Sequence, residues 1–288
     1  MVIVRVWHLW EISDFFALKK MQRINLKYTE SEVKNFGQYY KAGHSVKQVA
    51  EHFNIKYRDA LHYLIYFGYY IPTRKQSNVQ NMCKVNDFFE TIDNSDKAYY
   101  LGLLMSDGYI NKTIYNKEVG LALKASDKYI LDKLNNYVSP EKLVVKYRNS
   151  YKWHVVSPKM YDDLMQYGIV ENKSHIDYSY PNIPKEFDKD FIRGYFDGDG
   201  CITIKSTGYI VISICCNSKV FIESLAKKLN SYGIQTRPIF TSIKDKVNPI
   251  HTLYISGREN KSKFRDFLYE NAETYLKRKY DKFMEIPC

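Results

Sequence analysis

Phe191-Ile192-Arg193-Gly194-Tyr195-Phe196-Asp197-Gly198-Asp199-Gly200 puts two carboxylates and three glycines at the end of an apolar helical run. Upstream the chain writes a similar phrase, Tyr99-Tyr100-Leu101-Gly102-Leu103-Leu104-Met105-Ser106-Asp107-Gly108, again closing on Asp-Gly. Glycine inside a helix costs about 1 kcal/mol relative to alanine, so its recurrence needs a packing reason. Gly102 with Ser106, and Gly194 with Gly198, are spaced by four and share a helical face, which lets two such helices cross with their backbones close together. Asp107 and Asp199 would then meet at the helix ends, where two acids repel unless a cation lies between them.

Around these phrases the chain repeats one pattern: helix, two strands, helix, two strands, helix. The first passage expects a helix over 95–106, strands over 109–114 and 118–124, a helix over 128–138, strands near 143–147 and 151–156, and a helix over 158–167. The second expects a helix from 188 to Asp199, strands over 201–205 and 209–216, a helix over 219–232, strands near 235–242 and 251–256, and a helix over 262–271. The fold class is therefore α+β, built as two αββαββα halves over 88–180 and 181–288.

A smaller all-α unit is expected at 29–72. Thr29-Glu30-Ser31-Glu32 and Ser45-Val46-Lys47-Gln48 have capping-box spacing. The apolar positions from Val46 to Leu64 resemble a helix-turn-helix, with Ala50 at the crossing and Ile55 in the corner. Such a unit would offer Lys56, Tyr57, Arg58 and His62 to DNA. Residues 73–87 read as a linker, and 1–28 as an extension of unassigned role.

The 43 Lys and Arg against 32 Asp and Glu leave a formal charge of +11, which points to a polyanionic partner. No apolar run is long enough to span a membrane, so a membrane partner is not expected. The five cysteines form no CxxC pair; a zinc site or disulfide framework is not expected, and an intracellular, cytoplasmic setting is, in a bacterial or phage-infected cell or an organelle. Asp-Gly-Asp-Gly does not continue as an EF-hand: counting from Asp197, the fifth and twelfth positions fall on Cys201 and Gly208. No phosphate-cradling glycine loop is present either.

The doubled phrase resembles the paired motifs of the LAGLIDADG homing endonucleases, in their single-chain form with two pseudo-symmetric halves. The resemblance covers roughly Phe88 to Phe283, with Met105 where the family often has its first acid. It implies a monomer that binds double-stranded DNA on a saddle of strands and makes Mg²⁺-dependent double-strand breaks at a long asymmetric site, as an intron-encoded or otherwise mobile element. It also implies that Asp107 and Asp199 are the catalytic, metal-binding pair, with Lys173 and Lys279 as the basic residues beside them. Gly102, Ser106, Gly194 and Gly198 would form the helix interface. For DNA contact, alternation sets Lys142, Lys146 and Arg148 on one strand face and Thr203 and Lys205 on another, joined by Lys152, His154 and Arg237. Two other classes fit the same residues: a DNA-binding regulator that has lost cleavage, and an RNA-binding intron maturase. Neither end carries the residues of protein splicing, so an intein is not expected.

Overall fold

The computed structural model describes residues 28–69, 87–113, 116–140, 142–173, 176–243 and 249–285. The chain divides into two units, Met1–Lys75 and Gln76–Cys288. Most of the expected extension and linker lies outside the described residues.

The first unit contains α1 (Glu30–Lys41), α2 (Val46–His52) and α3 (Tyr57–Tyr66). Thr29 and Ser45 each close a reciprocal capping box, with Glu32 and Gln48 respectively. These boxes satisfy amide donors that a helix start otherwise leaves open. Val33, Phe36, Val49, Ala50, Ala60 and Leu64 form the core, and Ile55 packs against it from the corner.

In the second unit, α4 (Ser95–Ser106) leads into β1 (Gly108–Lys112) and β2 (Lys117–Lys124), then α5 (Lys128–Val138), β3 (Val145–Tyr147), β4 (Ser150–Val156) and α6 (Pro158–Gln166). The second half repeats this as α7 (Asp188–Asp199), β5 (Gly200–Ile204), β6 (Ile210–Cys216), α8 (Lys219–Ser231), β7 (Phe240–Ile243), β8 (Pro249–Ile255) and α9 (Arg258–Tyr269). A further helix, α10 (Lys277–Met284), closes it. The sheets share one antiparallel topology, β1-β2-β4-β3 and β5-β6-β8-β7.

Alternation decides which sheet face is covered. Val119, Leu121, Leu123, Trp153 and Val155 are buried in the first sheet, and Ile202, Ile212, Ile214, Leu253 and Ile255 in the second. The intervening residues form the other, more open face of each sheet. Between the halves α4 and α7 pair along their lengths, and residues 98–106 of α4 are buried throughout. No described helix is long and apolar enough to cross a membrane.

Two strands are shorter than the sequence pattern suggests. The strand expected near 143–147 begins only at Val145, and Arg148, with φ 53°, turns the chain at once into β4. That near 235–242 reduces to one bridge, Thr236 to Ile255, followed by β7 from Phe240. Helix α9 starts at Arg258 rather than 262, after Gly257 in a positive-φ conformation.

Candidate active site

The glycine faces of α4 and α7 meet with backbone against backbone. A β-carbon at Gly102 would collide with the carbonyl of Phe191 and lie 2.7 Å from Tyr195 N; one at Gly194 would collide with the carbonyl of Tyr99 and lie 3.0 Å from Leu103 N. At Gly198 it would overlap the Ser106 hydroxyl. Gly102, Ser106, Gly194 and Gly198 lie in this contact, and the close approach brings together the C-terminal ends of both helices, where Asp107 caps α4 and Asp199 ends α7.

Both acids keep an exposed edge, while protein crowds their other sides. Burial raises the Asp107 carboxyl above its usual range, against the opposing pull of Lys173, Lys279 and Arg278. Asp199 is pushed up to about 6, by burial first and by the charge of Asp107 second, with Lys173 and Lys279 opposing. The two carboxyls thus feel one another.

Lys173 and Lys279 occupy matching places in the two halves. The Lys173 ammonium donates to the carbonyls of Leu104 (3.0 Å), Met105 (2.8 Å) and Ser106 at the end of α4. That of Lys279 donates to Phe196 (2.6 Å), Gly198 (3.1 Å) and Gly200 at the end of α7. A helix end leaves such carbonyls unpaired and slightly negative, so each lysine acts as a C-cap. Burial lowers both ammonium groups to about 8, the acids pulling the other way. The resemblance implies these lysines as basic residues beside the acids; here their donors are turned onto main-chain carbonyls, and their charge stands beside the carboxylates.

Asp197 lies wholly inside. It accepts from Tyr99 Oη (2.9 Å), Tyr269 Oη (2.8 Å) and the amide of Leu276 (2.7 Å). It therefore ties α4, α9 and the start of α10, which carries Lys279, to α7. The repeat puts Met105 at the matching position of α4, buried in apolar surroundings.

Two groups beside the acids were not singled out from sequence. Arg278 on α10 donates to buried Asp127 of the first half (2.7 Å), and Tyr129 receives the amide of Lys277 (2.7 Å) while donating to the carbonyl of Tyr275 (2.8 Å). The tail of the second half is thus clasped to the first. Next to Asp199, Tyr178 Oη stands 3.4 Å from Tyr195 Oη and 3.2 Å from the Cys216 thiol, in a cavity of about 250 Å³ also lined by Met105, Ser106 and Lys173. The only sequence signals were the basic run 277–279 and the tyrosine within the motif.

The sheet candidates separate. Lys152 and His154 lie on the open face of the first sheet, where Lys152 stands over the Tyr109 ring at 5.1 Å. Burial, then Lys142 and Lys152, lower the His154 imidazole below its usual range. Lys146 pairs with Tyr151, whose face is that of Trp153 and Val155, so it lies on the opposite side from Lys152. Lys142 precedes the strand and donates to the carbonyl of His154, and Arg148 is in the turn. The shared face expected for Lys142, Lys146 and Arg148 is therefore incorrect, because the strand is only three residues long. In the second sheet Thr203, Lys205 and Arg237 line one concavity of about 430 Å³ with Tyr209 and Tyr254. In the first unit Lys56, Tyr57, Arg58 and His62 are exposed at or along α3.

Comparison with known proteins gives two family matches. Residues 96–167 match the WhiA LAGLIDADG-like domain and residues 186–268 a LAGLIDADG-like domain, together more than half the chain. Among curated proteins, DNA-directed RNA polymerase subunit Rpo1C of Methanocaldococcus jannaschii is 27% identical over 195 residues, 64% of this chain and 21% of its own length. A probable translation initiation factor IF-2 of the same organism is 29% identical over 181 residues, 58% of this chain and 14% of its own length. The chain thus spans about a fifth or less of these relatives. Similar solved structures include I-DmoI in complex with DNA and Mn, 20% identical over 62% of this chain and 98% of that one with a TM-score of 0.44. The LAGLIDADG meganuclease I-AabMI bound to uncleaved DNA is 15% identical over 67% and 90%, with a TM-score of 0.47.

Proposed function

Since the chain belongs to the LAGLIDADG family, with one such domain in each half, we propose that it is a metal-dependent endonuclease that cuts both strands of DNA at a long asymmetric site. One observation carries this reading: Asp107 and Asp199 end two helices packed glycine to glycine, close enough that a β-carbon at Gly198, next to Asp199, would lie 3.3 Å from Asp107 Cγ. A protein that only bound DNA would gain by replacing acids placed beside phosphates.

The donor set fits a hard divalent cation such as Mg²⁺, held by Asp107 and Asp199. Among the described residues no cluster of three or more potential ligands exists. That suits an ion which keeps waters and takes phosphate oxygens in place of an all-protein cage. When bound, the metal would supply an activated water and charge neutralisation at the phosphate. The chain's own residues do the rest. Gly102, Gly194 and Gly198 fix the spacing of the two acids. Lys173 and Lys279 hold both helix ends and keep positive charge at the site, and Asp197 fixes the segment bearing Lys279. Lys152, His154, Thr203, Lys205 and Arg237 would track the duplex on the two sheets, and Lys56, Tyr57, Arg58 and His62 would extend the footprint.

Incubation with DNA fragments selected for binding, in Mg²⁺ and separately in Ca²⁺ or chelator, tests the proposal. Linear products should form with Mg²⁺, and Asp107→Asn or Asp199→Asn should each abolish double-strand cleavage while retaining binding. Tight binding with no strand scission in Mg²⁺ or Mn²⁺ would instead favour a regulator, a reading for which the WhiA-like match of the first half speaks.

A further inference from the structure

The open faces of the two sheets can be compared position by position, because each sheet begins at the glycine of its Asp-Gly. Gly108 pairs with Leu121 and Leu121 with Trp153, as Gly200 pairs with Ile214 and Ile214 with Leu253. On that register Tyr109 matches Cys201, Glu118 matches Val211, Ala122 matches Cys215, and Lys152 matches Thr252. Both charges in this set belong to the first sheet, and each has a neutral counterpart in the second.

The shapes differ as well. In the first sheet the Tyr109 ring covers Gly120, where a β-carbon would collide with it, and the Lys152 ammonium stands over the ring. In the second, Cys201 and Cys215 are exposed, and Cys215 lines the same cavity as Asp199. Their thiols lie 3.3 Å from Thr203 Oγ1 and 3.5 Å from Thr252 Oγ1, so those hydroxyls are engaged within the sheet. Lys205 follows the last residue of β5, and Arg237 Nε donates to Ser256 Oγ just past β8 (2.5 Å). These cations therefore stand at the end of the sheet away from Asp199, and the part beside the acid is small and weakly polar.

An antiparallel ribbon can enter the major groove, where the apolar feature of a base edge is the thymine methyl. Small apolar side chains contact that methyl, and an unpaired thiol packs as a small hydrophobe. We propose that the base pairs facing β5 and β6 are A·T-rich, and that Cys201, Cys215 and Val211 read them through thymine methyl groups. The inference rests on the DNA-binding part of the proposed function and needs no cleavage.

The test uses the full chain in Ca²⁺ with duplexes enriched from a randomised pool. One half of the enriched sequence should be A·T-rich in the pairs flanking its centre. Replacing thymine by deoxyuridine in that half removes only methyl groups and should weaken binding about fourfold per contacted methyl; the same replacement in the other half should change little. The Cys201→Ser/Cys215→Ser protein should lose most of this discrimination, which ties the methyl effect to those side chains. Saturating duplex should also shield both thiols from iodoacetamide, as peptide mass spectrometry would read. Equal binding of thymine and deoxyuridine duplexes, G·C pairs enriched in both halves, undiminished discrimination by the double variant, or thiols alkylated as fast with duplex as without would overturn the proposal while leaving DNA binding intact. Enrichment of no duplex would overturn the DNA-binding reading and the proposal with it. Should the double variant fail to fold, Val211→Thr, of the same shape, carries the same expectation and the same refutation.

Discussion

Gly194→Ala is the sharpest probe of how α4 and α7 hold the two acids together. A β-carbon there falls 2.9 Å from the Tyr99 carbonyl carbon, 3.0 Å from Leu103 N and nearer still to the Tyr99 oxygen. All three are backbone atoms inside α4, so no side chain can turn aside. Ordinary carbon contacts lie at about 3.5–4.0 Å, so the helices must part by roughly half an ångström or more, and a radial gap of that order forfeits about a quarter or more of each contact's attraction. Overpacking of this kind costs about 1–3 kcal/mol, and a rigid obstacle places it at the upper end. Alanine's better helix propensity returns about 1 kcal/mol. The net loss is about 2 kcal/mol, or a fall of about 0.7 M in urea midpoint at a slope near 3 kcal/mol per molar. Urea unfolding followed by circular dichroism measures it. Gly102→Ala meets the mirrored obstacle, Phe191 and Tyr195, and should cost a similar amount. The double variant should lose less than the sum, because helices already parted by one methyl admit the second more cheaply. An unchanged or raised midpoint for Gly194→Ala would refute the backbone contact, and strict additivity would refute the shared separation.

Other consequences follow from particular contacts. Asp96 is desolvated, yet hydrogen bonds from Thr274, Tyr137 and Lys133 hold its carboxyl below the usual range. The unfolded chain then binds more protons as pH falls below about 4, so this contribution is present above that pH and lost on further acidification; Asp96→Asn should flatten acid unfolding below about pH 4. Because burial, then Lys142 and Lys152, hold the His154 imidazole below its usual range, His154→Gln should leave DNA affinity nearly unchanged at about pH 7.5 and remove any strengthening that appears on acidification below the ordinary imidazole range, as gel-shift titrations would read. Lys152→Met should weaken binding to all sequences alike and reduce the slope of log affinity against log salt by about one; an unchanged slope would remove Lys152 from the phosphate contacts. Arg58→Ala should shorten the footprint at one end without moving the cut, and an unaltered footprint would count against DNA contact by α3.

Much of the fold was legible because local rules and tertiary need agreed. The capping boxes at Thr29 and Ser45 form as their spacing indicates, and alternation sorts Cys215 to the exposed face and Cys216 to the buried one. The glycines announced a close helix contact because nothing else justifies their cost inside a helix. What failed was strand length. The strand expected near 143–147, with Lys142 and Arg148 counted on one of its faces, begins only at Val145, and nothing in the alternation encodes the turn at Arg148, where φ is positive. Pairing with Tyr151 sets Lys146 on the side of Trp153 and Val155 rather than with Lys152 and His154.

The roles of the lysines were harder to read, for a physical reason. From sequence, Lys173 and Lys279 stand out only through the family resemblance, which implies them as basic residues beside the two acids. In the folded chain each is drawn inward by carbonyls at the end of one helix, Lys173 at α4 and Lys279 at α7, a demand that appears only once the chain segments far apart in sequence have packed. The same helix ends explain why the motif can differ between halves. Asp197 anchors Leu276 through its amide, and Leu276 starts the helix carrying Lys279. Lys173 sits in a short turn after α6, so Met105 at the matching position is free to be apolar. Asp197→Asn should therefore disturb the placement of Lys279 more than that of Lys173. Removing the α7 cap by Lys279→Met and combining it with Asp197→Asn should give less than the summed loss of stability, whereas Lys173→Met with Asp197→Asn should be additive. Additivity in both pairs would mean that Asp197 serves only the core.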